Sequence, residues 1–283
     1  MKLLAGTSGY SFKEWKGTFY PADIKADAML GVYASKFPTI EINNTFYRLP
    51  KEHVLLEWAS QVPDHFIFAI KASQRITHHT RLKPESESMI EFLLKNTAVL
   101  ADRMGPILFQ LPPNLKKDLP RLQSFLGYLP ADRRFTFEFR HESWWDDDVF
   151  ATLRDRDIAM CISESADLKC PIVSTASWGY LRLHRLDYDA AALGEWARTV
   201  AAQKWDDVYV YLKHDEGEGS GPPAVEAFVA ASSQTTITES GNDPAETTDE
   251  GRVESVQNPP NRFSPSVTDT ATRNEVDAST PDA

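Results

Sequence analysis

Cysteine is scarce in this chain of 283 residues, which has only Cys161 and Cys170. There is no CxxC pair, so a disulfide scaffold and a zinc knuckle are both excluded. Cys161 lies in the apolar run of residues 158–162. Because free cysteine is commonly a buried residue, we interpret Cys161 as an inert core thiol.

Long hydrophobic runs are also absent. No segment reaches the roughly 20 apolar residues that cross a bilayer. The first residues, MKLLAG, become polar too soon for a signal peptide. These patterns predict a cytoplasmic protein that does not contact a membrane.

Positive charge is not in excess, and its balance changes along the chain. The formal net charge is −11, and residues 232–283 carry ten acidic and three basic side chains, which leaves −4 for residues 1–231. Residues 232–283 are rich in Ser, Thr, Pro and acids, and such a segment buries too little apolar surface to offset its ordering entropy. We therefore predict one folded domain over residues 1–231 and a disordered acidic tail over residues 232–283.

Short apolar runs alternate with stretches of helical spacing in the predicted domain. Eight such runs in alternation predict βα repeats around a parallel sheet, and eight strands close a (β/α)8 TIM-type barrel. An open doubly wound sheet is the rival fold, but no GxGxxG follows any strand. The predicted strands are residues 2–5, 39–43, 66–70, 107–110, 135–139, 159–163, 179–183 and 208–212, and the predicted helices are residues 28–37, 51–61, 85–104, 119–129, 145–156, 190–202 and 223–231.

The fifth of these strands, residues 135–140, reads FTFEFR and alternates with period two. Its three phenylalanines lie on one face, and Thr136, Glu138 and Arg140 lie on the other. This order predicts an aromatic face under helices and a charged face that points into a barrel.

Polar side chains stand at or beside the carboxyl ends of nearly all the predicted strands, where TIM-barrel active sites lie. Charged residues are rarely buried unpaired, so their convergence there favours a ligand site. Carboxylates and histidine suit proton transfer, and we assign Glu41, Glu138 and His184 as catalytic candidates. Cations and polar groups suit an anion, and the substrate-binding candidates are Ser8, Tyr10, Asn43, Tyr47, Lys71, Gln110, Arg140, Arg182 and Lys213.

Other interpretations of the strand ends stay open. An ion-pair layer such as Glu138 with Arg182 would explain the charges without function. A divalent metal could draw on His184, His214, Glu41 and Glu138, but HxH and HExxH spacings are absent, so no metal ligand is assigned. A glycosidase pair is disfavoured because Glu41 and Glu138 come from strands three apart in the ring. No organic cofactor is expected.

Several motifs resemble the YecE-like family, domain of unknown function 72. They are GTSGY at residues 6–10, EINNTFYRLP at 41–50, LFQLPP at 108–113, EFRH at 138–141 and YLRLH at 180–184. The resemblance covers about residues 1–231 and implies a TIM-barrel fold. It implies no established reaction, although a proposed similarity to endonuclease IV-type barrels would suggest phosphodiester or nucleic-acid substrates.

The sequence thus predicts an enzyme that acts on a phosphate- or carboxylate-bearing substrate at the barrel mouth. The alternative is a barrel that binds nucleic acid or a partner protein without catalysis. Its aromatic and basic loops favour that alternative, and the negative charge of the domain and tail opposes it. The oligomeric state is not predicted.

Overall fold

Parallel strands alternate with helices in the computed structural model, which describes residues 1–165, 168–185, 187–213 and 220–240. The strands are β1 Lys2–Thr7, β2 Thr39–Ile42, β3 Ile67–Lys71, β4 Met104–Gln110, β5 Phe135–Glu138, β6 Ala159–Met160, β7 Ile162–Ser165, β8 Leu168–Lys169, β9 Gly179–Leu183 and β10 Asp207–Leu212. The helices are α1 Met29–Ala34, α2 Glu52–Ser60, α3 Glu87–Thr97, α4 Leu119–Leu126, α5 Asp147–Arg154, α6 Ala190–Ala201 and α7 Pro222–Ser240. The predicted α/β class is confirmed.

The strands form two sheets of five. One has the order β1-β10-β9-β7-β8 and the other the order β2-β3-β4-β5-β6. Every strand pair is parallel except β7 with the short β8. Since the β2–β5 order follows the sequence, each helix between those strands makes the crossover that parallel strands need.

The two sheets meet where β1 passes β2. Ser8 forms an isolated parallel bridge with Glu41, and the Gly9 amide donates to the Glu41 carbonyl at 2.9 Å. A Cβ on Gly6 would lie 2.2 Å from the Thr39 carbonyl oxygen. Only glycine therefore lets the two strands approach this closely.

The predicted sixth strand, residues 159–163, is divided in two at Cys161. β6 pairs with β5, whereas β7 pairs with β9 in the other sheet. Cys161 donates its amide to the Phe137 carbonyl at 2.8 Å, so the chain changes partners at this residue. Its thiol is free and buried in the core, as predicted, and burial raises its pKa well above the ordinary value.

The alternating pattern of β5 divides its side chains between two buried clusters, as predicted. Phe137 stacks on Phe109 at 5.1 Å and meets Phe125 of α4 edge to face at 6.1 Å. Thr136 and Glu138 are fully buried on the other side. A second, smaller apolar cluster contains residues of both sheets, and its members include Leu4, Ala69, Leu108, Tyr180 and Tyr209.

The largest differences between the predicted and the observed helix ends occur in α3 and α7. α3 stops at Thr97, where a 3₁₀ segment, Ala98–Arg103, replaces the rest of the predicted helix. α7 passes the boundary predicted at Ala231 and ends at Ser240. The side-chain hydroxyls of Ser232, Ser233 and Thr235 each donate to the carbonyl four residues earlier, so these polar side chains are hydrogen-bonded within the helix. The rest of the predicted tail, residues 241–283, lies outside the described residues.

No helix within the described ranges is long and apolar enough to cross a membrane.

Candidate functional site

An ion network of Glu41, Arg182 and Glu138 joins the carboxyl ends of three strands. Arg182 Nε donates to both carboxylate oxygens of Glu41 at 3.0 and 3.2 Å, and Nη2 donates to Oε1 at 3.0 Å. Arg182 Nη1 donates to Glu138 Oε2 at 2.5 Å. All three side chains are buried, with at most 4% of each residue exposed. The predicted Glu138–Arg182 pair exists, and Glu41 completes it.

Glu41 also accepts hydrogen bonds from three neutral groups. Ser8 Oγ donates to Oε1 at 2.7 Å, Tyr180 Oη donates to Oε2 at 2.6 Å, and Asn43 Nδ2 donates to Oε1 at 3.2 Å. Burial alone would raise the pKa of Glu41, but the Arg182 charge and the hydrogen bonds from Tyr180 and Ser8 outweigh it and lower the pKa from 4.5 to about 2. The Glu41 side chain is therefore ionised at neutral pH and fully used as an acceptor.

His184 is joined to Glu41 through Ser8. Its Nε2 lies 3.0 Å from Ser8 Oγ. Because the single hydroxyl proton of Ser8 is donated to Glu41, His184 must donate from Nε2, and its proton is assigned there by the network. Burial and the charge of Arg182 lower the pKa of His184 well below 6.5, so the ring is neutral at pH 7.

Lys71 ends β3 beside this network. Its Nζ lies 4.4 Å from the centroid of the Phe46 ring, and the residue is half-buried. Burial and then the Arg182 charge lower its pKa from 10.5 to about 8, although Glu41 and Glu138 act in the opposite direction. Lys71 is thus a cation at neutral pH that loses its charge in mildly alkaline solution.

Glu138 is held from a second side by Gln110, whose Nε2 donates to both carboxylate oxygens at 2.9 Å. Arg140 follows on the same strand face, with Nε 3.9 Å from Glu138 Oε1 and 38% of its side chain exposed. This contact is long, and the Arg140 side chain is partly exposed to solvent. Asn43 Oδ1 is buried and has no hydrogen-bond partner among the residues described.

Two of the predicted site residues lie apart from this network. Tyr10 packs against Tyr33 at a centroid distance of 6.3 Å, and its carbonyl accepts from Tyr20. Tyr47 is 73% exposed and lines an outer cavity. Lys213 directly follows β10 and is half-buried, and its positive charge contributes to the lowered pKa of His184. His214 lies outside the described residues.

The donor set of the site suits anions and proton transfer. Among the described residues, no three His, Cys, Asp or Glu side chains come together as a metal site would require. Lys71 and Arg140 supply positive charge above the buried network, and His184 supplies a neutral ring nitrogen. Such a set can bind an anionic group and accept a proton from a neighbouring atom.

Two residues of the site are not among the assigned candidates. Tyr180 lies on the same face of β9 as Arg182 and His184, as the alternation of that strand predicts. Phe46 lies beneath the Lys71 ammonium and meets His78 edge to face at 5.0 Å. Nothing in the spacing of the sequence connects Phe46 with Lys71.

A family model described as "Protein of unknown function DUF72" matches residues 4–248. The UPF0759 protein YecE of Escherichia coli K12 is 36% identical over 114 residues, which are 40% of this chain and 42% of that protein. The UPF0759 protein YunF of Bacillus subtilis is 27% identical over 135 residues, 45% of this chain and 48% of that protein. The aligned part thus spans less than half the length of each of these curated relatives.

Two solved structures share the fold. A DUF72 family protein of Thermotoga maritima superposes with a TM-score of 0.67 at 22% identity, over 85% of this chain and all of that one. A DUF72 family protein of Enterococcus faecalis superposes with a TM-score of 0.68 at 16% identity, over 82% of this chain and 95% of that one. At these identities the likeness concerns the fold alone.

Proposed function

The chain belongs to the DUF72 family, whose function is described as unknown, and from its own site we propose an enzyme for an anionic, phosphate- or carboxylate-bearing substrate. The substrate would bind at the carboxyl ends of the strands, above the Glu41–Arg182–Glu138 network. The observation that carries the proposal is the hydrogen-bonded chain from Glu41 through Ser8 to a neutral His184, beside the cation Lys71.

The site would be the mouth of a closed eight-stranded barrel. The Ser8–Glu41 bridge supports one seam between the two sheets. Continuity of β6 and β7 through Cys161 supports the other, since each half pairs with a different sheet. The small apolar cluster takes residues from both sheets, as the filled interior of a barrel does.

The buried ion network would position the site rather than react. Glu41 is ionised and surrounded by donors, so it is a poor proton carrier at neutral pH. The guanidinium of Arg182 pairs with two carboxylates, which leaves few of its donors for a substrate. Their role would be to hold Ser8 and, through it, the His184 ring in one orientation.

His184 would accept the proton. With hydrogen on Nε2, the lone pair of Nδ1 is available, and Nδ1 makes no hydrogen bond to any part of the chain that the structure describes. A neutral ring at pH 7 is the form that a general base needs. Asn43 Oδ1, buried and unpartnered among the described residues, would accept from a substrate hydroxyl or amide.

Lys71 and Arg140 would bind the anion. Lys71 is a compact charge already freed from part of its hydration, and Arg140 offers a planar fork of donors. A desolvated cation gains more from an anion than a cation in water does, because the local dielectric constant is lower. The half-buried Lys213 extends the positive charge of the mouth to β10.

Lys71→Met and Arg140→Gln should each weaken sulfate binding about tenfold or more, since a hydrogen bond to a charged group contributes about 1.5–3 kcal/mol. Calorimetric titration with sulfate measures this. Lys36→Met is the matched control, because Lys36 also lies over a phenylalanine, 4.5 Å from Phe19, but away from the site. Equal losses in the Lys36 variant, or no loss in either site variant, would refute the anion site.

The same titration has a predicted pH dependence. The pKa of Lys71 is lowered to about 8, so its charge disappears as the pH rises through that value. Sulfate keeps both its charges in this range, so its affinity should fall from about pH 7 to about pH 9 through Lys71 alone. Lys71→Met should remove this slope.

A further inference from the structure

A second cavity, here called the outer pocket, lies beside the mouth. It has a volume of about 510 Å³ and is formed by the segment after β2, the turn after β3 and the first half of α3. Its lining includes Tyr47, Arg48, Lys51, Ser73, Arg75 and Phe92. None of Glu41, Glu138, Arg182 and His184 lines it, so it is distinct from the proposed site.

The outer pocket is positively charged. Arg48, Lys51 and Arg75 are exposed, and no Asp or Glu is among the lining residues. Across the described parts of the chain, the structure gives none of these three cations an ion-pair partner. In a chain with a net charge of −11, such a cluster is a local exception. It therefore favours an anionic ligand.

Aromatic rings are exposed in the same pocket. Tyr47 is 73% exposed and Phe92 is 58% exposed, which are the two largest values among the exposed aromatic residues of the described chain. Exposed aromatic faces cost hydration free energy, and they serve as stacking surfaces for planar ligands. Exposed aromatic rings beside cations without ion-pair partners suit a ligand that has both a flat ring and a phosphate.

We infer that the outer pocket binds a nucleotide unit, with the base stacked on Tyr47 or Phe92 and the phosphate held by Arg48, Lys51 and Arg75. The volume is within the range of about 300–1,000 Å³ that small-molecule sites occupy. Ser73, half-buried in the lining, can hydrogen-bond to the base or the sugar. The unit could come from a free nucleotide or from a single-stranded nucleic acid.

One short segment connects the outer pocket with the mouth. Thr45 lines the pocket and donates to the Lys71 carbonyl at 2.7 Å. Phe46, beneath the Lys71 ammonium, meets Tyr47 edge to face at 5.2 Å. A polyanion could therefore occupy both sites, but the inference does not depend on the function proposed for the mouth.

Calorimetry with adenosine monophosphate, adenosine and inorganic phosphate tests the inference on the full chain. The monophosphate should bind more tightly than adenosine or phosphate alone. Phe92→Ala and Arg75→Gln should each weaken it about tenfold, as loss of a stacked ring or a phosphate contact does. The controls are Leu56→Ala, 48% exposed, and Arg198→Gln, exposed on α6, neither of which lines the pocket.

A fluorescent single-stranded oligonucleotide of about eight thymidines separates the two sources. If the oligonucleotide binds more tightly than the monophosphate and its affinity falls steeply with salt, the ligand of the pocket is a single-stranded nucleic acid. If only the monophosphate binds, the ligand is a free nucleotide. His184→Gln should leave the affinity for the monophosphate unchanged, because His184 does not line the outer pocket. Absence of binding by any nucleotide, or equal affinity for phosphate and monophosphate, would overturn the inference.

Discussion

Replacing Arg182 with methionine should lower the free energy of unfolding by about 3–5 kcal/mol, which is a large part of the stability of a typical domain. The guanidinium is buried between Glu41 and Glu138, so its loss leaves two carboxylates without their countercharge. Urea denaturation measures the change. Arg185→Met is the matched control, because its ion pair with Asp187 is solvent-exposed and should leave the midpoint nearly unchanged.

The Arg182 variant should also change the response to acid. The pKa of Glu41 is about 2 in the folded chain, below the ordinary 4.5, so folding favours the ionised form. This contribution is complete above about pH 4.5 and is lost as the pH falls toward 2. Without Arg182 the pKa of Glu41 should rise toward its ordinary value, so this part of the acid-induced loss of stability between about pH 4.5 and 2 should shrink or disappear.

A combined variant keeps this prediction testable if the single one fails to fold. Glu41→Gln, Glu138→Gln and Arg182→Met together remove every charge of the network, and this should cost less than the loss of Arg182 alone. If the combined variant is less stable than the single one, the cost does not come from uncompensated charge. If Arg182→Met has wild-type stability, the network is not buried as described.

Gly6→Ala should destabilise the protein by about 3 kcal/mol or more, the upper range for overpacking a core. The new Cβ would lie 2.2 Å from the Thr39 carbonyl oxygen and 2.9 Å from the Tyr33 hydroxyl. A backbone carbonyl cannot rotate away as a flexible side chain can, so β1 and β2 must separate. Thermal denaturation with a calorimeter measures the cost.

Gly31→Ala is the control for this prediction. Gly31 lies in α1, and its added Cβ would be 3.5 Å from the Gln61 carbonyl oxygen, an ordinary contact. Alanine has the better helix propensity, so stability should stay equal or rise. A Gly6 variant as stable as the Gly31 variant would contradict the close approach of β1 and β2, on which the proposed closure of the barrel depends.

Much of the fold could be predicted because each strand has a clear local signal. The alternation in β5 and β9 places their polar faces correctly, and the motif-based assignment to the YecE-like family is confirmed. The division at Cys161 could not be predicted, because residues 158–162 are uniformly apolar and carry no sign of a change in partner. The end of α7 could not be predicted either, because the polar composition of residues 232–240 does not indicate the helix that the structure shows there.

The site was predicted as a set of strand ends, and the structure shows how differently its members are used. The sequence assigns Glu41 to catalysis and Arg182 to anion binding, whereas in the structure the two side chains hydrogen-bond to each other. Side-chain pairing between distant strands depends on register, which no single strand encodes. Tyr47 lies in the outer pocket because the chain turns after Phe46, so neighbouring residues of one motif contact different cavities.

Nitrogen NMR of the His184 ring tests the central claim most directly. His184→Gln assigns its signals, and sulfate serves as the anion. At pH 7 the ring should be neutral with hydrogen on Nε2, and saturating sulfate should shift its Nδ1 signal and raise its pKa, because a bound anion favours the charged ring. A ring protonated on both nitrogens at pH 7, or ring signals that do not shift when sulfate is added, would contradict a neutral base beside an anion site.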